Sequence, residues 1–380
     1  MTRPFAATLS AFAFFGTFWG VFAVLLADLS RTLELSPGPL GVALFVGAVA
    51  SIASMAALGW TADLLGRRAF IALSATVFGL GIAGLALVGS YAGLMAAFVV
   101  LYASSGLYDV GINAAAVDLE RAMRRRVMAY FHAAFSAGGV LGAVCAGVLL
   151  SAGLDYRLVY LSVLVPLVAV VVVAAVTRFP SPERPIESGS SKSGRYELFA
   201  SGPLLLVAAI ATLGLLSEGE MEHWSGIYLR ETLGLSALVG GSGVAVFYGA
   251  MAVGRLGAAW VIQKFGNWTI LLVAGSLTAF GMTVSLATTE PFFVVAGFLF
   301  VGLALSSVVP IAFSMAGDLA PEKAGAAISV VTTLGYGGFL MGPVIVGGLA
   351  EVFGLRLALA TISVAGAVIF ALSLRLKATR

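Results

Sequence analysis

Residues 32–68 read TLELSPGPLGVALFVGAVASIASMAALGWTADLLGRR, and residues 232–268 read TLGLSALVGGSGVAVFYGAMAVGRLGAAWVIQKFGNW. Aligned without gaps at an offset of 200, the two stretches are identical at nine of 37 positions, namely Thr32, Leu33, Leu35, Ser36, Gly41, Val46, Ala50, Trp60 and Gly66. In both, a long apolar run leads into a segment that contains a glycine. This internal repeat predicts that the chain folds as two similar halves.

The composition around the repeat is that of a membrane protein. Of 380 residues, 60% are hydrophobic and 10% are charged, whereas a soluble domain has about 25% charged residues. Many apolar runs reach the roughly 20 residues that a helix needs to cross a bilayer. The runs are continuous, without the alternation of β-barrel strands. We predict an all-α polytopic membrane protein with twelve transmembrane helices, from about 5–29 to about 357–374.

A polar break and the distribution of basic residues predict the organisation and the topology. Residues 180–197 read PSPERPIESGSSKSGRYE, a linker-like composition. We predict an N-terminal six-helix bundle at 1–178, a cytoplasmic linker at 179–197 and a C-terminal six-helix bundle at 198–380. Of the 21 Lys and Arg residues, 17 fall on the side that holds both termini, and four fall on the other: Arg31, Arg157, Arg230 and Arg356. The positive-inside rule predicts cytoplasmic termini in a bacterial inner membrane.

Several classes of protein are not supported by the sequence. Cys145 is the single cysteine, so an intrachain disulfide is impossible, and there is no Cys/His metal-ligand pattern and no Walker loop. We predict no enzymatic activity, no cofactor and no metal. The expected partners are a small-molecule substrate, protons and the lipid bilayer, with no nucleic acid, and the protein is expected to be a monomer.

The end of the second apolar run carries the strongest motif, GWTADLLGRR at residues 59–68. Its glycines allow a turn, and Asp63 can accept from an arginine or cap a helix. The segment resembles the loop motif of the major facilitator superfamily, Gly-x-x-x-Asp-x-x-Gly-Arg-Arg/Lys. The resemblance implies two pseudo-twofold-related six-helix bundles around a central cavity. It also implies a latch for the outward-facing state, made here by Gly59, Asp63, Gly66, Arg67, Arg68, Asp118 and Glu120. The second copy has Gln263 in place of the aspartate, so we expect the latch on one side.

Spans four and five carry a narrower resemblance. Residues 106–113 read GLYDVGIN, and residues 127–139 read VMAYFHAAFSAGG. These segments look like the YbjJ-like branch, related to the fucose permeases, in which a carboxylate four positions before an asparagine is implicated in proton coupling and sugar binding. The matching residue is Asp109. His132 stands where the permeases have a glutamine. The first span departs from the permeases, because residues 21–28 are nearly all apolar.

Asp109 is also a candidate on physical grounds. A carboxylate inside a span costs about 2.5 kcal/mol or more unless it is paired, hydrated or protonated. Asn113 lies one turn further on the same face. Because spans four and five are antiparallel, we expect His132 near the depth of Asn113 and Ser136 near that of Asp109. Four polar groups would then converge on a proton-coupling and substrate site. The alternative is a structural hydrogen-bond knot between two helices.

Span seven ends in SEGEMEHW at residues 217–224. Glu218 is the second proton-coupling candidate, at an outer gate, and its alternative is a solvated acidic cap. We favour the solvated cap for Glu220 and Glu222. The candidate substrate contacts offer rings, amides or hydroxyls, and they are Asn113, His132, Ser136, Trp19, Tyr248, Thr333 and Tyr336. For the aromatic residues among them, a position in the core or at the membrane interface is the alternative.

Three functions fit these features. The first is secondary active, proton-coupled uptake of a small polar solute by alternating access, with sugars among the candidate solutes. The second is proton-coupled export of a metabolite or drug through the same fold. The third is a membrane sensor that transports nothing.

Overall fold

The computed structural model describes residues 2–125, 127–180 and 201–378. Within these ranges the chain is helical and has no strand. Twelve stretches are long and apolar enough to cross a membrane, the first at Thr2–Thr32 and the last at Leu355–Leu376. The predicted all-α architecture with twelve spans is therefore confirmed.

The helices before residue 181 are α1 (Thr2–Thr32), α2 (Pro37–Leu58), α3 (Thr61–Leu87), α4 (Tyr91–Met123), α5 (Met128–Ser151), α6 (Tyr156–Ser162) and α7 (Leu164–Val176). After residue 200 follow α8 (Gly202–Ile227), a π-helical turn (Tyr228–Thr232), α9 (Ala237–Ala287), α10 (Pro291–Leu319), a 3₁₀ turn (Pro321–Lys323), α11 (Ala324–Phe353), α12 (Leu355–Ala358) and α13 (Ala360–Ala378). Helices α6 and α7 share one span, and α9 contains two.

The contacts divide the chain into two compact units. Unit 1 comprises Met1–Pro185 with Ser236–Ala245, and unit 2 comprises Ile186–Leu235 with Val246–Arg380. Residues 181–197 of the expected linker lie outside the described residues, so the linker and the division at 178 and 198 stay predictions.

In unit 1, α1 packs along α5, and α4 packs against α2 and α3. Glycines permit the contact of α1 with α5. A Cβ on Gly138 or Gly142 would collide with the backbone of α1 at Ala13 and Thr17 respectively. Small residues allow this close approach of backbones, which favours helix association in lipid.

In unit 2, α8 is the central helix and packs against α11, α10 and α13. A Cβ on Gly338 would collide with the carbonyl oxygen of Thr212, and one on Gly342 would lie 3.2 Å from that of Leu216. Gly338 and Gly342 stand 200 positions after the glycines that join α1 to α5. The internal repeat is therefore present in the helix packing as well as in the sequence.

The repeat also preserves a backbone break. Gly66 interrupts α3 with φ 77° and ψ 154°, and Gly266 interrupts α9 with φ 78° and ψ 154°. This region of backbone torsions is essentially open only to glycine. A Cβ at either position would have no heavy atom within 4 Å, so the backbone conformation, not lack of space, requires the glycine.

Candidate functional site

The break at Gly66 positions Arg67 against the C-terminal end of α4. Arg67 donates from Nε to Asp118 Oδ2 at 2.7 Å and from Nη1 to Asp63 Oδ1 at 2.6 Å. The Arg67 side chain is 8% exposed and that of Asp118 is 2% exposed, whereas that of Asp63 is 62% exposed. One guanidinium therefore joins a buried carboxylate of α4 to an exposed carboxylate at the start of α3. Three of the expected latch residues are brought together.

The other expected latch residues have different positions. Gly59 caps the C-terminal end of α2, with its N–H bonded to the Met55 carbonyl. Arg68 is exposed. Glu120 Oε1 accepts from the N–H groups of Val127 and Met128 at 2.6 and 2.9 Å. Glu120 thus caps the first turn of α5, where unsatisfied N–H groups favour a carboxylate.

Asp109 pairs with Asn113 on α4. The Asn113 amide donates from Nδ2 to Asp109 Oδ1 and to the Asp109 carbonyl oxygen, both at 2.9 Å. Asp109 has no ion pair among the residues that the structure describes. It is a half-buried carboxylate inside the Tyr91–Met123 span, held by an amide and not by a cation.

His132 and Ser136 on α5, expected near Asp109 and Asn113, and the substrate candidate Trp19 on α1 make their shown contacts elsewhere. The His132 ring is T-shaped on Phe12, with centroids 5.4 Å apart, and its side chain is exposed. Ser136 is fully buried, and its hydroxyl donates to the His132 carbonyl at 3.2 Å. Trp19 lies in an aromatic cluster, 5.2 Å from Phe18 and 5.3 Å from Tyr102. Of the four polar side chains expected to converge, Asp109 and Asn113 are thus the two that the structure shows bonded to each other.

Glu218 belongs to a charged cluster between α8 and α9. Arg255 donates from Nη2 to Glu218 Oε1 at 2.8 Å. One turn further along α8, Glu222 Oε1 accepts from the Tyr248 hydroxyl at 3.1 Å. The cluster places two carboxylates, one guanidinium and one phenol within membrane spans. If both carboxylates are ionised it carries one excess negative charge, which a proton or a cationic group can neutralise.

Glu220 overturns the prediction of a solvated acidic cap. It is 0% exposed, and its Oε2 accepts from the Thr361 hydroxyl at 2.9 Å. Glu222, predicted to share that cap, is half-buried and bonded to Tyr248. The prediction was wrong because residues two apart on a helix face different neighbours, and α8 is covered on more than one face.

Two further candidates lie on α11. Thr333 is exposed, and its hydroxyl donates to the Ser329 carbonyl at 2.7 Å. Tyr336 is 47% exposed and stands one turn further, so the two side chains share a face of the helix.

Sequence reasoning missed Arg255 as a site residue. The signal was present, because an arginine inside an apolar run needs a partner or water. The described residues contain no group of three or more His, Cys, Asp or Glu side chains that could hold a metal ion.

Comparisons with known proteins give consistent results. The model of the family described as the Major Facilitator Superfamily matches residues 7–285 and 228–380. An uncharacterized MFS-type transporter of Yersinia pestis is 30% identical over 92% of this chain and 90% of its own length. The membrane protein MosC of Rhizobium meliloti is 28% identical over 95% of this chain and 88% of its own.

Solved structures share the fold. The nucleoside transporter NupG superposes with a TM-score of 0.80 at 12% identity, over 99% of both chains. A D-xylose-proton symporter superposes with a TM-score of 0.76 at 15% identity, over 97% of this chain and 96% of its own.

Proposed function

Because the chain belongs to the Major Facilitator Superfamily and is a multi-pass membrane transporter of that type, we propose that it moves a small polar solute by secondary active transport. The proposed mechanism is alternating access, with symport of protons across a bacterial inner membrane and both termini in the cytoplasm. Relatives in Yersinia pestis and Rhizobium meliloti support a bacterial setting.

Asp109 is the observation that carries the proposal of proton coupling. A carboxylate in a span is expensive when charged, and three intramembrane carboxylates show two ways of meeting that cost. Asp118 is paired with Arg67 and Glu218 with Arg255, but Asp109 has an amide partner. An amide leaves the negative charge uncompensated, so binding a proton removes the cost directly. Asp109 is therefore our primary coupling residue.

Glu218 is the second coupling candidate, and it would act differently. Protonation of Glu218 would weaken its ion pair with Arg255 and release the guanidinium. Such a released cation can bind an anionic or hydroxyl-rich group. Glu222 and Tyr248, one turn away, would complete this polar surface.

The substrate class rests on the polar groups that remain accessible. In unit 1, Asn113 and His132 are half-buried and exposed respectively and offer an amide and an imidazole. In unit 2, Thr333 and Tyr336 are exposed and offer a hydroxyl and a phenol. Each pair is suited to a polyhydroxylated solute. A nucleoside transporter and a D-xylose-proton symporter with the same fold support this choice. The affinity to the fucose permease-like branch is part of the proposal and rests on Asp109, Asn113 and His132.

A ligand screen followed by transport assays tests the proposal. Purified protein is screened by thermal shift against sugars, nucleosides, organic acids and amphiphilic drugs, and hits are then assayed in proteoliposomes. We expect a sugar or nucleoside hit and accumulation driven by an inward proton gradient. Proton-driven extrusion of a hit would favour the exporter, and binding with no flux in either direction would favour the sensor.

The variant Asp109→Asn tests the coupling residue. It mimics the protonated carboxyl and should abolish accumulation driven by the proton gradient while binding is retained. The matched control is Asp155→Asn, which removes a carboxylate from the exposed N-cap of α6 and should transport normally. Accumulation by the Asp109→Asn protein would show that Asp109 is structural and would direct the same test to Glu218.

A further inference from the structure

Glu220 is a buried carboxyl group that the proposed coupling scheme does not use. Glu218 and Glu222 lie one turn apart on the face of α8 that meets α9, and Glu220, two residues from each, faces away from them. It is fully buried. The Thr361 hydroxyl bonds its Oε2, whereas its Oε1 has no hydrogen-bond partner among the described residues.

Glu220 has no ion pair with a basic side chain in the described part of the chain. Arg356 on α12 is engaged with the carbonyls of Leu286 and Thr288, and Arg255 is engaged with Glu218. The titratable residues with described side chains on the elements packed against α8 are Tyr228, Arg230 and Glu231 on the π-helical turn, Tyr248, Arg255 and Lys264 on α9, Asp318 on α10, Tyr336 and Glu351 on α11, and Arg375 on α13. On α8 itself, His223 bonds the Gly219 carbonyl. In the described structure the Thr361 hydroxyl is the one hydrogen-bonding group that reaches Glu220.

This environment favours the neutral acid. A buried carboxylate without a cation and with one neutral hydrogen bond carries a desolvation cost that the bond does not offset. A carboxylic acid has no net charge, and its remaining oxygen carries the proton. The geometry thus assigns a bound proton to Glu220.

The helix that covers Glu220 has a built-in weak point. A Cβ on Gly342 of α11 would lie 3.3 Å from Glu220 Cγ, so α11 crosses α8 at this carboxyl. The next residue, Pro343, lies inside α11. Proline removes a helix hydrogen bond and is a common cause of kinks. A bend of α11 at Gly342–Pro343 would uncover Glu220.

Polar groups continue from Glu220 along α8. Ser217 Oγ and Trp224 Nε1 are also buried without a hydrogen-bond partner in the described part of the chain. They stand three residues before and four residues after Glu220, on one stripe of the helix. Buried polar atoms of this kind are commonly bridged by ordered water, which would connect Glu220 to the ends of the stripe.

We propose that Glu220 is a second, reversible proton-binding site within the C-terminal half, which exchanges its proton with water when α11 bends at Gly342–Pro343. An O–H bond forms at Oε1 when a hydronium ion gives up a proton and becomes water, and it breaks when the proton returns to a water molecule, which becomes hydronium and leaves a hydrated carboxylate. The site is separate from Asp109 and does not depend on the coupling role proposed there.

Infrared spectroscopy of the protein in lipid nanodiscs tests the site without a substrate. The carbonyl stretching band of protonated carboxylic acids should lose a component in Glu220→Gln, and that component should persist in the matched variant Glu222→Gln. Thr361→Val removes the hydroxyl that bonds Oε2 and should shift the same component to higher frequency. If Glu220→Gln does not fold, the Thr361→Val shift identifies the component. An unchanged acid band in both Glu220→Gln and Thr361→Val would overturn the proposal.

Reversibility is measured by transfer of the same protein into heavy water and into alkaline buffer. We expect the Glu220 component to shift on deuteration and to disappear at alkaline pH while the helical amide band is unchanged. Gly342→Ala narrows the space beside Glu220 and should slow the deuteration severalfold. If the Glu220 band persists without exchange until the protein unfolds, the proton is fixed and structural, and the proposal is wrong. Because uptake is not measured, failure of the transport scheme would leave this result interpretable.

Discussion

Replacement of Asp118 by asparagine should open the N-terminal end of α3. Arg67 is shared between Asp118, whose side chain is 2% exposed, and Asp63, whose side chain is 62% exposed. Removing one partner of a buried ion pair costs about 3–5 kcal/mol, because the other charge stays uncompensated. An exposed pair contributes roughly 0.2–1 kcal/mol. Asp118→Asn should therefore be much more disruptive than Asp63→Asn.

The expected size follows from the difference between these costs. Asparagine retains the volume and one acceptor, so we take the lower value, about 3 kcal/mol. Subtracting the cost of roughly 0.2–1 kcal/mol for the exposed pair at Asp63 leaves a difference of about 2–3 kcal/mol between the two variants. Each 1.36 kcal/mol is about a tenfold change in an equilibrium. The open population should rise about a hundredfold in Asp118→Asn relative to Asp63→Asn.

Hydrogen–deuterium exchange of the protein in nanodiscs measures this population. Exchange of backbone amides reports local opening, so amides between Gly59 and Phe70 should exchange about a hundredfold faster in Asp118→Asn than in Asp63→Asn. Amides after Gly266, in the equivalent segment of unit 2, serve as the internal control. Equal acceleration in the two variants, or none in Asp118→Asn, would refute the central role of the buried pair. The double variant Arg67→Met with Asp118→Leu should exchange more slowly than Asp118→Asn, because no unpaired buried charge remains and the exposed Asp63 is solvated.

Two further predictions concern the backbone and the topology. Gly266→Ala should destabilise the protein by about 1–3 kcal/mol, because the backbone torsions at Gly266 are essentially open only to glycine. The control is Gly257→Ala on the same helix, where the backbone is helical and a Cβ has free space, so this variant should be neutral or mildly stabilising. Equal melting temperatures for the two variants would contradict the predicted backbone strain. Fusions to Arg380 should give a fluorescent cytoplasmic reporter and an inactive phosphatase, as expected from the 17 basic residues on that side, and the opposite pattern would reverse the topology.

Features with a local cause could be predicted from the sequence. Continuous apolar runs predict spans because lipid offers the backbone no hydrogen bonds. The identity of Gly66 and Gly266 in the repeat is explained by torsions that a side chain disfavours. Asp109 and Asn113 are paired as their four-residue spacing predicts.

Features that depend on helix rotation could not be predicted. The Glu218 carboxylate and Arg255 are 37 positions apart, and a sequence does not state which faces of two helices meet. For the same reason three glutamates at alternate positions looked like one solvated cap. The structure assigns Glu218 to Arg255, Glu222 to Tyr248 and Glu220 to the interior beside Thr361.

The glycine contacts between α1 and α5, and between α8 and α11, have a consequence for the evolution of the protein. Where a backbone oxygen of one helix occupies the place of a neighbour's Cβ, even an added methyl group is excluded. Gly138, Gly142 and Gly338 therefore have no conservative substitute, and adaptation to a new solute has to proceed through side chains elsewhere on these helices. These glycines therefore stay unchanged and keep the geometry of the two helix pairs, while other residues change the substrate specificity.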